Sequence, residues 1–160
     1  MEQIMTGTSA QKSSFQPPAA PATVAGVMRP PVTTVNQNDH VAAAAYLMKH
    51  GGATALVVLD AQTDRPIGII TEADIVHTVA DGKDVDEVRI HDLMTTHPTV
   101  IDATTSIRDA AKIMTTGRFR HLPVVGDAGL AGMVDITDVC RALIDPDVSR
   151  LPTTGMAQPE

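Results

Sequence analysis

Apolar side chains recur along this chain in helical and strand-like patterns, and the whole arrangement occurs twice. Val41, Ala44, Ala45 and Met48 stand at positions i, i+3, i+4 and i+7, which places them on one face of an α-helix. The same spacing returns sixty-six residues later, in a helix that begins at Ile107. Short apolar runs bounded by turn residues follow each helix and indicate pairs of strands. The pattern therefore predicts the same order of elements in two successive segments.

Each segment is predicted to contain β-α-β-β-α. Brief strands at residues 33–35 and 99–101 precede the first helices, and an apolar lead-in ends at Met28 or Met94 before each strand. Paired strands are predicted at residues 55–59, 67–70, 122–125 and 130–134. Repetition at a nearly fixed spacing is the signature of duplicated structural units. The predicted fold class is α/β (α+β), built from two packed β-α-β-β-α repeats.

Composition sets the boundaries of the repeats. Residues 1–22 are polar or proline-rich and lack an apolar period, so they predict a disordered N-terminal tail. Residues 23–82 are assigned to the first repeat and residues 83–147 to the second. Residues 148–160 predict a flexible C-terminal tail.

Charge and residue usage exclude several classes of protein. The formal net charge of −7 argues against a nucleic-acid partner, which requires a basic surface. No apolar run approaches the roughly 18 residues that span a bilayer, and the single cysteine fits a reducing compartment. We therefore expect a cytoplasmic protein without a membrane partner. The six histidines lack the spacing of metal ligands, and no nucleophile–base pair is recognisable, so neither a metal site nor catalysis is expected.

Three motifs resemble those of CBS domains, small β-α-β-β-α units named for cystathionine β-synthase. They are the lead-in that ends in methionine, the segment RHLPVV at residues 120–125, and above all the segment GIITEADI at residues 68–75. The resemblance covers roughly residues 24–145, which is nearly everything outside the two tails. CBS domains occur as tandem pairs called Bateman modules, so the resemblance implies a pseudo-two-fold pair with two clefts.

The resemblance also implies a function. Clefts of this family often bind adenosine-containing molecules, such as AMP, ADP, ATP or S-adenosylmethionine, as regulatory ligands rather than as required cofactors. Most members are non-catalytic and regulate a partner protein, and pairs often form homodimers. The expected protein is a free-standing CBS pair that senses an adenosyl ligand and modulates an unidentified partner. The alternative is a protein-interaction or dimerisation module whose ligand sites are degenerate.

The strand-to-helix turn at Thr71 is the first candidate site. Thr71 is expected to cap a helix N-terminus, where free amides and the helix dipole favour a phosphate, and Asp74 follows three residues later. A carboxylate can accept charge-assisted hydrogen bonds from both hydroxyls of a ribose. Thr-x-x-Asp also approximates a capping box, which requires no ligand. Both interpretations remain open from the sequence.

Basic residues of the second copy stand where the first copy is uncharged. Because the two copies of a Bateman pair share a ligand, the resemblance places these residues opposite Thr71 and Asp74. The alternative is that they form weak surface ion pairs with carboxylates such as Asp127. The expected ligand-binding residues are Thr33, Thr34, Thr71, Asp74, Arg118, Arg120 and His121.

The second copy departs from the motif, because Asp135 stands where the first copy has Thr71. Two carboxylates within one helical turn repel a phosphate, although they can hold a ribose or attract a cationic ligand. The second cleft is therefore expected to be weak or vacant, or selective for adenosine or S-adenosylmethionine. Its expected residues are Thr99, Val100, Asp135 and Asp138.

The second helix of each copy carries apolar side chains that fit either a core or a dimer interface. Cys140 among them is expected to be a small core residue. The full set is Ile75, Val76 and Val79 in the first copy and Val139, Cys140, Leu143 and Ile144 in the second.

Overall fold

The structure, a computed structural model, describes residues 22–29 and 33–144. The two predicted tails lie outside these residues, apart from Ala22. Each half of the described chain contains a sheet and two helices, so the predicted mixed class and the β-α-β-β-α order are both confirmed. The elements of the first half are β1 (Thr34–Asn36), α1 (Val41–Gly51), β2 (Ala55–Leu59), β3 (Pro66–Thr71) and α2 (Glu72–Ala80).

The second half repeats this order after one additional short strand. That strand, β4 (Thr95–Thr96), was not predicted from the pattern of residues, because two threonines carry no apolar period. The other elements are β5 (Ile101–Asp102), α3 (Ile107–Gly117), β6 (His121–Gly126), β7 (Gly129–Asp135) and α4 (Ile136–Ile144). β1 begins one residue later than predicted, and β5 begins two residues later.

The two sheets share one topology. In the first, β1 runs parallel to β2, and β2 and β3 form an antiparallel hairpin in which Leu56 lies opposite Ile70. In the second, β5 runs parallel to β6, and β6 and β7 pair so that Leu122 lies opposite Val134. The strand β4 adds to the free edge of β3, which makes the first sheet four-stranded. These matched registers show that the sequence repeat is a structural repeat.

Each apolar lead-in crosses to the other half of the molecule. Val24, in a 3₁₀ turn before the first repeat, is fully buried in the core of the second half beside Leu122 and Val139. Ile90, in the corresponding turn before the second repeat, is fully buried in the core of the first half beside Leu56. The halves are therefore interlocked, because the segment that precedes each repeat completes the core of the other.

The helices bury one stripe each, as the spacing of their apolar residues predicts. In α1 the buried positions are Val41, Ala44 and Met48, and α3 buries the corresponding positions. Ser106 caps the start of α3, because its hydroxyl accepts a hydrogen bond from the Asp109 amide at 3.1 Å. Ile107, the next residue, is buried in the second core.

The second helices divide into core and surface positions. Val139 is buried in the second core, and Ile75 packs partly buried against the first. The prediction that Cys140 lies in the core is wrong: the thiol is exposed, because α4 turns Val139 and Ala142 inward instead. The remaining apolar residues are exposed: Val76, Val79, Leu143 and Ile144. None of the helices in the described ranges has the length and apolar character needed to cross a membrane.

Candidate functional site

A cleft of about 890 Å³ lies between the two halves. The first half contributes the end of β3 and the start of α2, and the second half contributes the loop from α3 to β6 and the start of α4. The structure brings together in it five of the residues expected from the sequence: Thr71, Arg118, Arg120, His121 and Asp135.

The two helices that begin at this cleft are tied to their sheets in the same way. The Glu72 amide donates to the Thr54 carbonyl at 3.0 Å, and the Ile136 amide donates to the Arg120 carbonyl at 2.8 Å. These pairs occupy equivalent places in the repeat. The shared backbone frame fixes where each helix N-terminus lies, so differences between the two motifs arise from their side chains.

The start of α2 contains a complete capping box. Asp74 Oδ2 accepts hydrogen bonds from the Thr71 amide at 2.8 Å and from Thr71 Oγ1 at 2.7 Å, and the Asp74 amide donates to Thr71 Oγ1 at 3.4 Å. The amides of Glu72 and Asp74 are both engaged, so of the first three amides of α2 at most that of Ala73 remains for an anion. Asp74 supports the cleft through Thr71, and Thr71 lines it.

The start of α4 has its amides fully engaged. Asp135 Oδ1 accepts hydrogen bonds from the amides of Thr137 at 2.7 Å and Asp138 at 3.0 Å. Burial raises the pKa of the Asp135 carboxyl, but these two amides and the charges of Arg29 and His121 lower the pKa further than burial raises it. Asp135 is therefore ionised near neutral pH and adds a negative charge to the cleft.

A side-chain hydrogen bond joins the halves across the cleft. Thr54 Oγ1 lies 2.7 Å from His121 Nε2. Burial lowers the pKa of the His121 imidazole; Asp135 and Glu72 raise it in part, and Arg120 lowers it further. Thr54 was missed by the sequence reasoning, although the offset of sixty-six residues makes it the counterpart of Arg120.

The two arginines of the cleft are exposed and available. Within residues 22–29 and 33–144, neither Arg118 nor Arg120 forms an ion pair with a carboxylate. Asp127, the suggested surface partner, lies at a different cleft. Arg118 has φ = 57°, in the left-handed region where the equivalent residue of the first repeat is Gly52 with φ = 61°. An arginine in this conformation is strained, and such strain concentrates at functional sites.

The other residues expected from the sequence lie elsewhere. Thr33, just before β1, and Thr34, its first residue, do not line the cleft that holds Thr71. Val100 borders a separate cleft of about 650 Å³ between the two hairpin turns, which Thr99 does not line. Asp138, in the first turn of α4, is buried. The four residues expected at the second cleft are thus divided among different places, with Asp135 in the same cleft as Thr71.

The fold and the shared cleft define a tandem pair of small mixed α/β units. Residues 24–81 and 90–145 both match the family described as CBS domain, and the chain belongs to that family. A 17.7 kDa protein of Acidianus ambivalens is 41% identical over 115 residues, which cover 71% of this chain and 68% of the relative. Two further relatives, one from Methanopyrus kandleri and one from Arabidopsis thaliana, are each 34% identical. Their matches cover only 61% and 49% of their own lengths.

Solved structures show the same architecture. A protein with CBS domains from Burkholderia ambifaria MC40-6 is 29% identical, with a TM-score of 0.70 over 78% of this chain and 94% of that one. The structure of CBSX2 in complex with AMP is 27% identical, with a TM-score of 0.63 over 78% of this chain and 98% of that one. The CBS pair predicted from the sequence is confirmed.

Proposed function

We propose that this chain is a non-catalytic regulatory module that senses an adenosine-containing ligand in the cleft between its repeats and modulates a partner protein. The observation that carries the proposal is the composition of the cleft. Arg118, Arg120 and His121 of one repeat lie in the same cleft as Thr71 of the other, and the two arginines have no ion-pair partner in the described chain. A ligand held there contacts both repeats, so its binding can change their relative position.

The charges of the cleft favour a ligand with a small anionic group. Arg118 and Arg120 offer charge-assisted hydrogen bonds to a phosphate. Glu72 and Asp135 line the same cleft and oppose additional negative charge. This balance favours AMP over ADP and ATP, and the AMP complex of CBSX2 supports the same class. S-adenosylmethionine, with its cationic sulfonium, fits the acidic side of the cleft.

A homodimer is part of this proposal. Val79 of α2 is 60% exposed, and Leu143 and Ile144 of α4 are 43% and 84% exposed. Exposed apolar side chains of this kind are typical of an interface with a second copy. The alternative function rests on the same exposed residues. In it, the chain is a dimerisation module whose cleft has lost its affinity for ligands.

A thermal-shift panel distinguishes the two functions. AMP, ATP, S-adenosylmethionine and NAD are each added to the purified chain, with adenosine and inorganic phosphate as partial ligands. A ligand at a hundredfold excess over its Kd stabilises the folded state by about 2.7 kcal/mol, which raises the Tm by several degrees. The proposal predicts a shift with at least one adenosyl ligand, and the largest with AMP. A dimer that shows no shift with any of them would favour the alternative.

A further inference from the structure

The residues that directly follow the two lead-ins differ, and each lies beside one of the two motifs. Thr95 pairs with Ile69 on β3, and Arg29 pairs with Met133 on β7. The repeat relates these two pairs, since Arg29 and Thr95 are sixty-six residues apart and Ile69 and Met133 are sixty-four apart. Arg29 and Thr95 therefore each lie against the strand that ends in one of the two motifs. At this position the first motif has a short neutral side chain, and the second has a long cationic one.

The guanidinium of Arg29 is bound to both acidic residues of the second motif. Arg29 Nη2 donates a hydrogen bond to Asp138 Oδ1 at 2.7 Å and lies 3.3 Å from Asp135 Oδ2. The Asp138 side chain is only 6% exposed, and its Oδ2 atom is buried with no hydrogen-bond partner in the described part of the chain. A buried carboxylate with an unused oxygen is a strong acceptor, and here a cation from the same chain already neutralises it.

The equivalent space at the first motif is open. Thr95 lines the cleft together with Thr71. The Thr95 side chain is shorter than that of Arg29 and carries no charge, so it does not compensate the charge of Asp74. The shared backbone frame of the two motifs makes this difference one of side chains alone. The cleft is lined by the first residue of each motif, Thr71 and Asp135, and by Thr95 but not by Arg29.

We propose that Arg29 is an internal occupant of the second motif and that it restricts the chain to one adenosyl ligand, held at the first motif. This rests on the proposed function. The Arg29 side chain is 57% exposed, so replacing it removes the guanidinium without removing a core side chain. The acidic pair that is left then accepts hydrogen bonds from ribose hydroxyls, while it still repels a phosphate.

Calorimetry with adenosine as the probe tests the restriction. The wild-type chain is expected to bind one adenosine, and Arg29→Thr, which introduces the residue of the first repeat, is expected to bind two. Arg141→Thr is the matched control, because it removes a cation 3.5 Å from the same Asp138 oxygen but from within α4; it should bind one. The reciprocal Thr95→Arg should weaken binding at the first motif at least tenfold. Two sites in the wild type, or one site in both wild type and Arg29→Thr, would overturn the proposal.

A second measurement tests the contact without any ligand. Thermal unfolding is compared for Arg29→Thr, Asp138→Asn and the double variant, because residues that act as a pair give non-additive effects. Each single change should lower the Tm by several degrees, and the double variant should fall little below either one. Additive Tm losses would overturn the proposal whatever the adenosine titration gives. If no variant binds adenosine, AMP or S-adenosylmethionine, the proposed function fails; one adenosine site in wild type and in Arg29→Thr defeats only the role of Arg29.

Discussion

Thr54 of the first repeat and His121 of the second are joined by a contact of 2.7 Å between Thr54 Oγ1 and His121 Nε2. A neutral imidazole can donate or accept here, and a protonated one can still donate to the hydroxyl. The contact therefore survives protonation of the ring. The cost of protonation comes from burial, which is the main cause of the lowered pKa of His121.

This lowered pKa predicts that the protein loses stability as the pH falls. Because the pKa of His121 lies below its ordinary value of 6.5, the unfolded chain binds the proton more readily than the folded chain. The stabilisation is complete above pH 6.5 and is lost as the pH falls through the folded-state pKa. Urea unfolding between about pH 7 and pH 5 should show this loss, and His121→Gln should reduce it. An equal loss of stability in wild type and in His121→Gln would contradict this assignment.

Arg118 is expected to trade stability for binding. Its left-handed φ of 57° is one that glycine adopts without strain, so Arg118→Gly should raise the free energy of unfolding by up to about 1 kcal/mol. The same change should weaken AMP binding, because it removes a cation from the cleft. Gly52→Ala at the equivalent position should instead lower stability by about 1 kcal/mol. If Arg118→Gly and wild type bind AMP with equal affinity, the strained conformation of Arg118 does not serve ligand binding.

Gly117 allows the ring of Phe119 to lie against the end of α3. A Cβ at Gly117 would collide with that ring, whereas a Cβ at Gly51 would find only Thr33 Oγ1 at 3.8 Å. The ring is partly exposed and can move, so Gly117→Ala should change the free energy of unfolding by less than about 1 kcal/mol. It should nevertheless alter AMP affinity, since Gly117 and Phe119 both line the cleft. Gly51→Ala, tested in parallel by calorimetry, should leave that affinity unchanged.

The exposed apolar residues of α2 and α4 predict a homodimer. Sedimentation equilibrium at tens of micromolar should give twice the chain mass of 16.8 kDa. Val79→Asp and Leu143→Asp should each shift the mass toward the monomer, because a buried unpaired carboxylate is costly at an interface. Lys112→Asp, on the exposed side of α3, should leave the measured mass unchanged. A wild-type chain that remains monomeric at this concentration would contradict the prediction.

The repeat and the fold could be predicted from the sequence because both depend on local periodicity. The stripe Val41, Ala44 and Met48 can be buried only by a helix, and its recurrence at Ile107 sets the unit. The crossing of the lead-ins could not be predicted. A three-residue turn that carries Val24 or Ile90 fits either apolar core, and only the packing of the two halves selects between them.

The candidate site was less accessible to sequence reasoning. Thr71, Arg118, Arg120 and His121 follow from the motif and from the charge difference between the copies, and the structure places all four in one cleft. The position of Asp135 in that same cleft depends on how the halves face each other, which no local pattern encodes. The role of Arg29 depends on a contact between residues 109 positions apart in the chain.

The most direct test of the account is calorimetric titration of AMP and adenosine into wild type, Arg120→Ala and Arg108→Ala. Arg108 lies on the exposed side of α3, away from the cleft, and serves as the matched control. A lost charge-assisted hydrogen bond is worth about 1.5–3 kcal/mol, so Arg120→Ala should weaken AMP at least about tenfold. It should change adenosine affinity by no more than about twofold, because adenosine has no phosphate for Arg120 to contact. AMP binding that is equal in wild type and Arg120→Ala, or absent from the wild type, would contradict a phosphate-reading cleft between the repeats.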